Sequence, residues 1–123
     1  MKKVDIIVII YIMESQLSLY DDIREKLIEQ HHSEEDLALI EKAFLFAQRL
    51  HQNQYRVSEE PYIIHPVEVV KILIDLRADS HTLIAGFLHD ILEDTDTTPE
   101  EIRELFGDDV LGLVQAVTKL GKL

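Results

Sequence analysis

The feature that most constrains this chain is an uncharged apolar run, residues 83–88, that leads directly into a cluster of acids. His89, Asp90, Glu93 and Asp94 follow the run without a break in helical period. A helix repeats every 3.6 residues, so a continuous helix would place His89 with Glu93 on one face and Asp90 with Asp94 on the next. Burying an ionised carboxylate is costly unless it is paired or binds a metal, and no lysine or arginine lies in this stretch. The pattern predicts a divalent-metal site with acid–base groups beside it.

Length, charge and the absence of cysteine restrict the function further. The chain has 123 residues, which is predicted to be a single domain over residues 1–123. Because there is no cysteine, a metal must bind His, Asp or Glu, a donor set that suits Mn, Fe, Mg or Zn. The formal net charge of -12 argues against nonspecific binding of DNA, RNA or an anionic membrane.

The N-terminus, residues 1–16, is predicted to be an apolar extension of this domain. Ile6–Met13 follows Lys2-Lys3 as in a secretion signal, but Asp5 interrupts its start and no small-residue cleavage site follows. The run is also shorter than the ~20 residues that a membrane span needs. We expect residues 4–13, as strand or helix, to pack in the core or face a partner, and we expect a cytoplasmic protein.

Apolar periodicity predicts helices through the rest of the chain. Ser33, Ser80 and Thr98-Pro99 indicate helix starts, Gly107 indicates a helix stop, and Asp108 is predicted to cap the last helix. Strand signals are nearly absent beyond the N-terminal run. The predicted fold is all-α, an orthogonal bundle of five or six helices.

A second histidine extends the predicted metal site. His65 stands directly before a proline at the start of a predicted helix, where its side chain could point into a cleft. Such a histidine is by itself more often structural, but a metal site needs ligands from more than one element. We therefore expect His65, His89 and Asp90 to converge on one cation. Glu93 and Asp94 are then placed to orient or deprotonate a water there, which predicts metal-assisted hydrolysis of a phosphoester or phosphoanhydride.

One long polar stretch, residues 53–62, is predicted to be a loop, and such loops often carry binding residues. Arg56 is its one cation, and a solvated arginine is the competing interpretation. His31 and His32, at a predicted helix end, are interpreted as solvated, and His51 as structural.

Five segments form a specific combination: His51-x-x-Gln54-x-Arg56, Glu60-Pro61-Tyr62-Ile63-Ile64-His65-Pro66, Leu88-His89-Asp90-Ile91-Leu92-Glu93-Asp94-Thr95, Phe106-Gly107 and Val117-Thr118-Lys119-Leu120. Together they resemble the N-terminal HD hydrolase domain of RelA/SpoT-type proteins, the synthetases and hydrolases of the alarmones ppGpp and pppGpp. The resemblance runs from about residue 33 to the C-terminus.

The resemblance implies an all-α HD fold, a single Mn²⁺ and a function in the stringent response. The implied reaction is hydrolysis of the 3′-diphosphate of (p)ppGpp to GDP or GTP plus pyrophosphate. His65, His89 and Asp90 would bind the metal. Glu93 and Asp94 would activate or position the water.

The resemblance also implies a guanine-nucleotide site in the polar loop. Arg56 would contact the guanine base, and the loop through Ser58 would help to hold the nucleotide. Val57 and Glu59 stand where the family usually has lysine and glycine. The family's last metal ligand, an aspartate, follows the Val-Thr-Lys-Leu motif, whereas this chain ends at Leu123. We therefore expect a truncated domain of a longer parent chain with synthetase and regulatory domains.

Two other functions stay open. The loop departures and the apolar N-terminal run are compatible with a non-catalytic regulatory or dimerising HD module that forms a homo-oligomer. Another HD-superfamily phosphohydrolase with a different nucleotide substrate is the second alternative.

Overall fold

The computed structural model describes residues 3–52 and 61–120 of the chain. The helices in these ranges are α1 (Lys3–Glu29), α2 (Glu34–Leu50), α3 (Ile64–Asp75), α4 (Ser80–Leu88), α5 (Ile91–Asp94), α6 (Pro99–Phe106) and α7 (Asp108–Leu120). The prediction of an all-α fold is confirmed. The described ranges hold seven helices instead of five or six, partly because one predicted helix is divided into α4 and α5.

The N-terminal segment and the amphipathic stretch after it form one continuous helix, α1. Residues 4–13 are therefore helical. The C-terminal half of α1 buries Tyr20, Ile23 and Leu27 in the core, whereas Ile6, Ile7, Val8 and Ile10 are 45–61% exposed. Within the described residues, none of the helices combines the length and apolarity that crossing a membrane requires.

Two helices end in a left-handed residue that is not glycine. The His31 amide donates to the Ile28 carbonyl (3.0 Å), and the His32 amide donates to the Leu27 carbonyl (3.2 Å). With φ of 64° at His31, this is a Schellman ending, and Arg77 (φ 58°) closes α3 in the same way. The histidine pair thus belongs to a helix end, where His31 is exposed.

The core is built around α4, whose residues 83–88 are all buried. This helix packs against α2, α3 and α7. Phe87 meets Phe44 of α2 edge-on, with ring centroids 5.8 Å apart, and Tyr20 of α1 stacks on Phe44 at 4.9 Å. Burial of each such large apolar side chain contributes about 1.5–3 kcal/mol, so α4 is held firmly at its place.

A glycine lets α3 and α4 approach closely. A Cβ atom at Gly86 would lie 2.9 Å from Leu73 Cδ1 and 3.0 Å from Val70 Cγ2. A larger side chain at this position would require the side chains of Leu73 and Val70 to shift. Because His65 lies in the first turn of α3 and His89 follows α4, this approach positions the site.

The predicted continuous helix through Asp94 is wrong. α4 ends at Leu88, His89 and Asp90 form a turn, and α5 begins at Ile91. The His89 ring nitrogen Nδ1 lies 2.8 Å from the Gly86 carbonyl, the acceptor that a continuing helix would offer to the amide of residue 90. The side chain thus competes with the helix for this carbonyl.

The predicted caps Ser33 and Thr98 are confirmed, whereas Asp108, the predicted cap of the last helix, lies inside the first turn of α7. Ser33 accepts a hydrogen bond from the Asp36 amide (3.1 Å), and Thr98 accepts one from the Glu101 amide (3.2 Å). At α4, the cap is Asp79 and not Ser80, because the Asp79 carboxylate accepts from the Thr82 amide at 2.8 Å. Gly107, with φ of 94°, ends α6 as predicted.

Candidate metal centre

Three side chains from two parts of the fold converge. His65 lies in the first turn of α3, and His89 and Asp90 form the turn between α4 and α5. The two Nε2 atoms of His65 and His89 are 3.3 Å apart. Asp90 Oδ2 lies 3.0 Å from the His89 Nε2 and 3.7 Å from the His65 Nε2. In the part of the chain that the structure describes, this is the one group of three or more such residues that could hold a metal ion.

The spacing and chemistry of these atoms fit a divalent cation. Ligands bound to one ion at about 2.1 Å lie about 3.0–3.4 Å from each other in octahedral or tetrahedral arrangements. The observed separations of 3.0, 3.3 and 3.7 Å lie in or near this range. Two imidazoles and one carboxylate are also a common donor set for first-row divalent metals.

The surroundings of His89 prepare it for this role. Its Nδ1 pairs with the Gly86 carbonyl, so Nδ1 carries the hydrogen and the lone pair of the neutral ring is on Nε2. In the metal-free protein, the hydrogen bond with Asp90 raises the pKa of His89 above its usual value. The same hydrogen bond holds the pKa of Asp90 below its usual range, so the carboxylate is ionised and ready to bind a cation.

Tyr62 supports the acidic side of the site. Its hydroxyl lies 3.0 Å from Asp90 Oδ2 and also hydrogen-bonds to Asp94 Oδ2. Its ring stacks on the buried His51, with centroids 4.3 Å apart and planes 23° from parallel. Asp94 follows Asp90, the N-cap of α5, by one helical turn, and the Asp94 amide donates to the Asp90 carbonyl at 2.9 Å, so the Tyr62 hydroxyl contacts two neighbouring carboxylates.

Glu93 faces a surface cleft next to this group. The cleft has a volume of about 560 Å³, and its lining residues are Leu50, Glu93, Asp94, Thr95, Asp96, Thr97 and Glu101. The continuous helix on which the predicted shared face of His89 and Glu93 depends is interrupted by the turn at His89 and Asp90. Glu93 and Asp94 nonetheless stand at one rim, because both belong to α5.

Arg56 and Ser58, the predicted nucleotide-binding residues, lie outside the described residues. Sequence reasoning missed the contribution of Tyr62 and of the Gly86 carbonyl. Tyr62 precedes His65 by three residues, a spacing that could have suggested contact across one helical turn. Its bonds to Asp90 and Asp94 depend on tertiary packing and have no local signal.

The chain is similar to proteins of a known family. A family model described as an HD domain matches residues 43–123. The chain is 45% identical over 108 residues to a GTP pyrophosphokinase of Myxococcus xanthus, covering 85% of this chain and 14% of the relative. It is 49% identical over 110 residues to a guanosine-3′,5′-bis(diphosphate) 3′-pyrophosphohydrolase of Aquifex aeolicus, covering 88% of this chain and 15% of the relative.

A solved structure is also similar. It represents a metazoan orthologue of SpoT described as hydrolysing ppGpp and playing a role in starvation responses. The two chains are 38% identical with a TM-score of 0.61, over 65% of this chain and 47% of that one.

The chain spans a small part, 14–15%, of the length of the two curated relatives. The family model, by contrast, covers more than half of the chain and includes all three converging residues. The fold and the resemblance to RelA/SpoT-type proteins are therefore confirmed, and the chain belongs to the HD domain family.

Proposed function

We propose that this chain is a (p)ppGpp 3′-pyrophosphohydrolase domain. The observation that carries the proposal is the convergence of His65, His89 and Asp90 in a chain with a 49% identical relative named for this reaction. The reaction adds water to (p)ppGpp and gives GDP or GTP plus pyrophosphate. Because the chain is much shorter than its relatives, the synthetase and regulatory domains of a longer parent are proposed partners.

The metal is proposed to be Mn²⁺, held by the three converging side chains His65, His89 and Asp90. When bound, a divalent cation would supply a Lewis acid that polarises phosphoryl oxygens and makes water more acidic. Fe, Mg and Zn remain alternatives on the donor set alone.

Glu93 and Asp94 are proposed to handle the proton of the attacking water. A carboxylate at the rim of the cleft accepts the proton while the water oxygen forms a bond to the phosphorus next to the ribose. The bond between that phosphorus and the 3′ oxygen breaks, and the 3′ oxygen gains a proton. Orientation of the carboxylate matters because the reacting atoms must lie close to their final geometry.

The nucleotide is proposed to bind through Arg56 and Ser58, with the guanine base at Arg56. A net charge of -12 repels a polyanion, so local cations and the metal must overcome this field. The same charge supports the prediction that DNA is not a partner. A cytoplasmic location, where guanine nucleotides are available, is also proposed.

The test combines metal binding with turnover. Loss of the free Mn²⁺ EPR signal measures affinity, and release of pyrophosphate from ppGpp measures activity. We expect wild type to bind Mn²⁺ and to release pyrophosphate, and we expect Asp90→Asn to lose both. Asp75→Asn, at the other end of α3 and exposed, removes the same charge away from the site and should change neither. A wild type that binds Mn²⁺ and leaves ppGpp intact would contradict the proposal.

A second test compares ppGpp with other phosphate-ester substrates. In the same assay, a panel of nucleoside phosphates and phosphodiesters distinguishes this reaction from that of another HD-superfamily phosphohydrolase. Turnover of a panel member in place of ppGpp would favour the alternative.

A second role, a dimerising module, is favoured by the N-terminal half of α1. Ile6, Ile7 and Val8 are consecutive and exposed, so exposed apolar surface extends over about half of the helix circumference, which favours a helix covered by a partner. We propose a homo-oligomer formed through this segment.

Sedimentation of the full chain tests the second role. Ile7→Gln should dissociate the oligomer, whereas Leu76→Gln, at a leucine that is 72% exposed at the end of α3, should not. A monomeric wild type would exclude this role.

A further inference from the structure

The hydroxyl of Tyr62 occupies a position between two carboxylates. It is within hydrogen-bond distance of Asp90 Oδ2 (3.0 Å) and of Asp94 Oδ2. Asp90 Oδ2 is the oxygen that also faces the two histidine Nε2 atoms. Tyr62 thus connects the oxygen at the candidate metal position with a carboxylate of the next helix.

The ring of Tyr62 is held from several sides, so its hydroxyl has little freedom. The face of the ring stacks on His51, which is 2% exposed and caps the C-terminus of α2. The ring of His65 approaches it edge-on, with centroids 6.4 Å apart. The backbone carbonyl of Tyr62 accepts a hydrogen bond from the His65 amide at 3.2 Å. A change at Tyr62 therefore acts on the site through the hydroxyl if the ring is kept.

Two neighbouring carboxylates repel each other unless a donor or a cation lies between them. A neutral hydroxyl can donate its hydrogen to one carboxylate without adding charge to the site. The Tyr62 hydroxyl is therefore suited to act as a fixed hydrogen-bond donor that orients the Asp94 carboxylate.

We propose that Tyr62 is a positioning residue that holds Asp94 in a fixed orientation beside the metal ligand Asp90. This inference rests on the proposed hydrolase function, in which Asp94 assists proton transfer. Tyr62 does not bind the metal and does not exchange a proton with the substrate. It limits the carboxylate of Asp94 to the orientation in which it can serve the reaction.

The first test is Tyr62→Phe, which keeps the ring stacked on His51 and removes the hydroxyl. We expect kcat to fall roughly tenfold, while KM and the Mn²⁺ affinity stay within about threefold of wild type, because transition-state orientation is lost but binding is not. The matched control is Tyr20→Phe. The Tyr20 hydroxyl is buried, distant in the aromatic core and without a hydrogen-bond partner among the described residues, so its removal should leave kcat unchanged. Equal kcat in Tyr62→Phe and wild type would overturn the inference, and so would a loss confined to Mn²⁺ affinity.

The second test is a double-mutant cycle with Asp94→Asn. If Tyr62 acts through Asp94, the double variant should have the kcat of Asp94→Asn alone, because the second change removes nothing further. Independent, multiplying losses would overturn the inference.

A melting experiment on the metal-free protein separates this inference from the proposed function. Thermal midpoints of the two single variants and the double variant report on the hydrogen bond whether or not the protein turns over ppGpp. If the double variant shifts the midpoint by less than the sum of the two single-variant shifts, the hydrogen bond is supported. If its shift equals that sum, the bond is overturned. A wild type without pyrophosphate release would overturn the proposed function and the catalytic part of this inference, even when the melting cycle supports the bond.

Discussion

At the scale of single residues, His89 shows how one side chain can shape both the chain path and the site. One ring nitrogen meets the Gly86 carbonyl, and the other faces His65 and Asp90. The first contact occupies an acceptor at the end of α4. The second makes the ring a candidate metal ligand with a defined tautomer.

Glu93 is the residue whose role in turnover is most directly testable. Glu93→Gln should leave Mn²⁺ affinity unchanged, since Glu93 is not among the three converging residues. Turnover of ppGpp should fall about 10²–10⁴-fold if Glu93 is the acid–base group. Glu68→Gln, at an exposed glutamate of α3, is the matched control and should be fully active. If Glu93→Gln turns over ppGpp at the wild-type rate, Glu93 is not the acid–base group, and another group transfers the proton.

The sequence predicted which types of side chain form the candidate metal site. A histidine–aspartate pair after an apolar run, with another histidine upstream, indicated a metal site because buried charges need a partner. The supporting contacts of Tyr62 were not predictable. They join residues 28 and 32 positions apart, and no local pattern encodes such a pair.

At the scale of elements, the N-cap of α4 gives a prediction with a pH dependence. The Thr82 amide donates to the Asp79 carboxylate and lowers the pKa of Asp79 below its usual value of 3.8. A lowered pKa in the folded state means that the ionised form stabilises the fold above the unfolded pKa, and that this contribution is lost as pH falls through the folded value.

Asp79→Ala should therefore lower the free energy of unfolding at pH 7 by about 1 kcal/mol, because the cap is lost. Asp79→Asn, which can still cap, should lower it by no more than a few tenths. The difference in the free energy of unfolding between wild type and Asp79→Asn should persist from pH 7 to about 5. It should shrink below about pH 4, since the Asp79 carboxylate then loses its charge. Urea unfolding of wild type and both variants at several pH values measures these differences in the free energy of unfolding. A difference that grows as the pH falls would contradict the assignment of the cap.

Two glycines in helices give opposite predictions. A Cβ atom added at Gly112 of α7 would have no neighbour within 4 Å, so Gly112→Ala should raise the free energy of unfolding by about 0.5–1 kcal/mol through helix propensity. At Gly86 the same gain is outweighed by contacts with Leu73 and the buried Val70. Overpacking costs about 1–3 kcal/mol, so Gly86→Ala should be destabilising. Urea unfolding of the pair decides this, and equal stabilisation by both changes would contradict the close approach of α3 and α4.

The helices themselves were largely predictable, and their boundaries less so. Ser33, Thr98 and Gly107 act locally, through caps and a positive φ, and were recognised from sequence. The division between α4 and α5 depends on a contact of the His89 ring, and apolar periodicity continues through the turn without a signal. The continuous α1 was ambiguous because an apolar run of about ten residues fits strand and helix alike.

At the scale of the whole molecule, the candidate metal site joins parts of the fold that are distant in sequence. His65 lies in the first turn of α3, whereas His89 and Asp90 follow α4, the helix at the centre of the core. A cation bound by all three would connect these elements, and the three ligands come together in the folded chain. Binding to the folded state alone raises the free energy of unfolding.

Mn²⁺ at about 100 times Kd should therefore raise the free energy of unfolding by about 2.7 kcal/mol and the melting temperature by roughly 10 °C, and a chelator should reverse both. Protons compete with the metal for His89, whose pKa is raised by the hydrogen bond with Asp90, so the increase should be smaller at pH 5.5 than at pH 7.5. Asp90→Asn should lose most of the increase at either pH, whereas Asp75→Asn should keep it. Thermal unfolding with Mn²⁺ and with chelator, for wild type and both variants, measures the effect. An equal increase in Asp90→Asn would mean that the stabilising ion binds elsewhere, and the metal would then not connect α3 to the turn after α4.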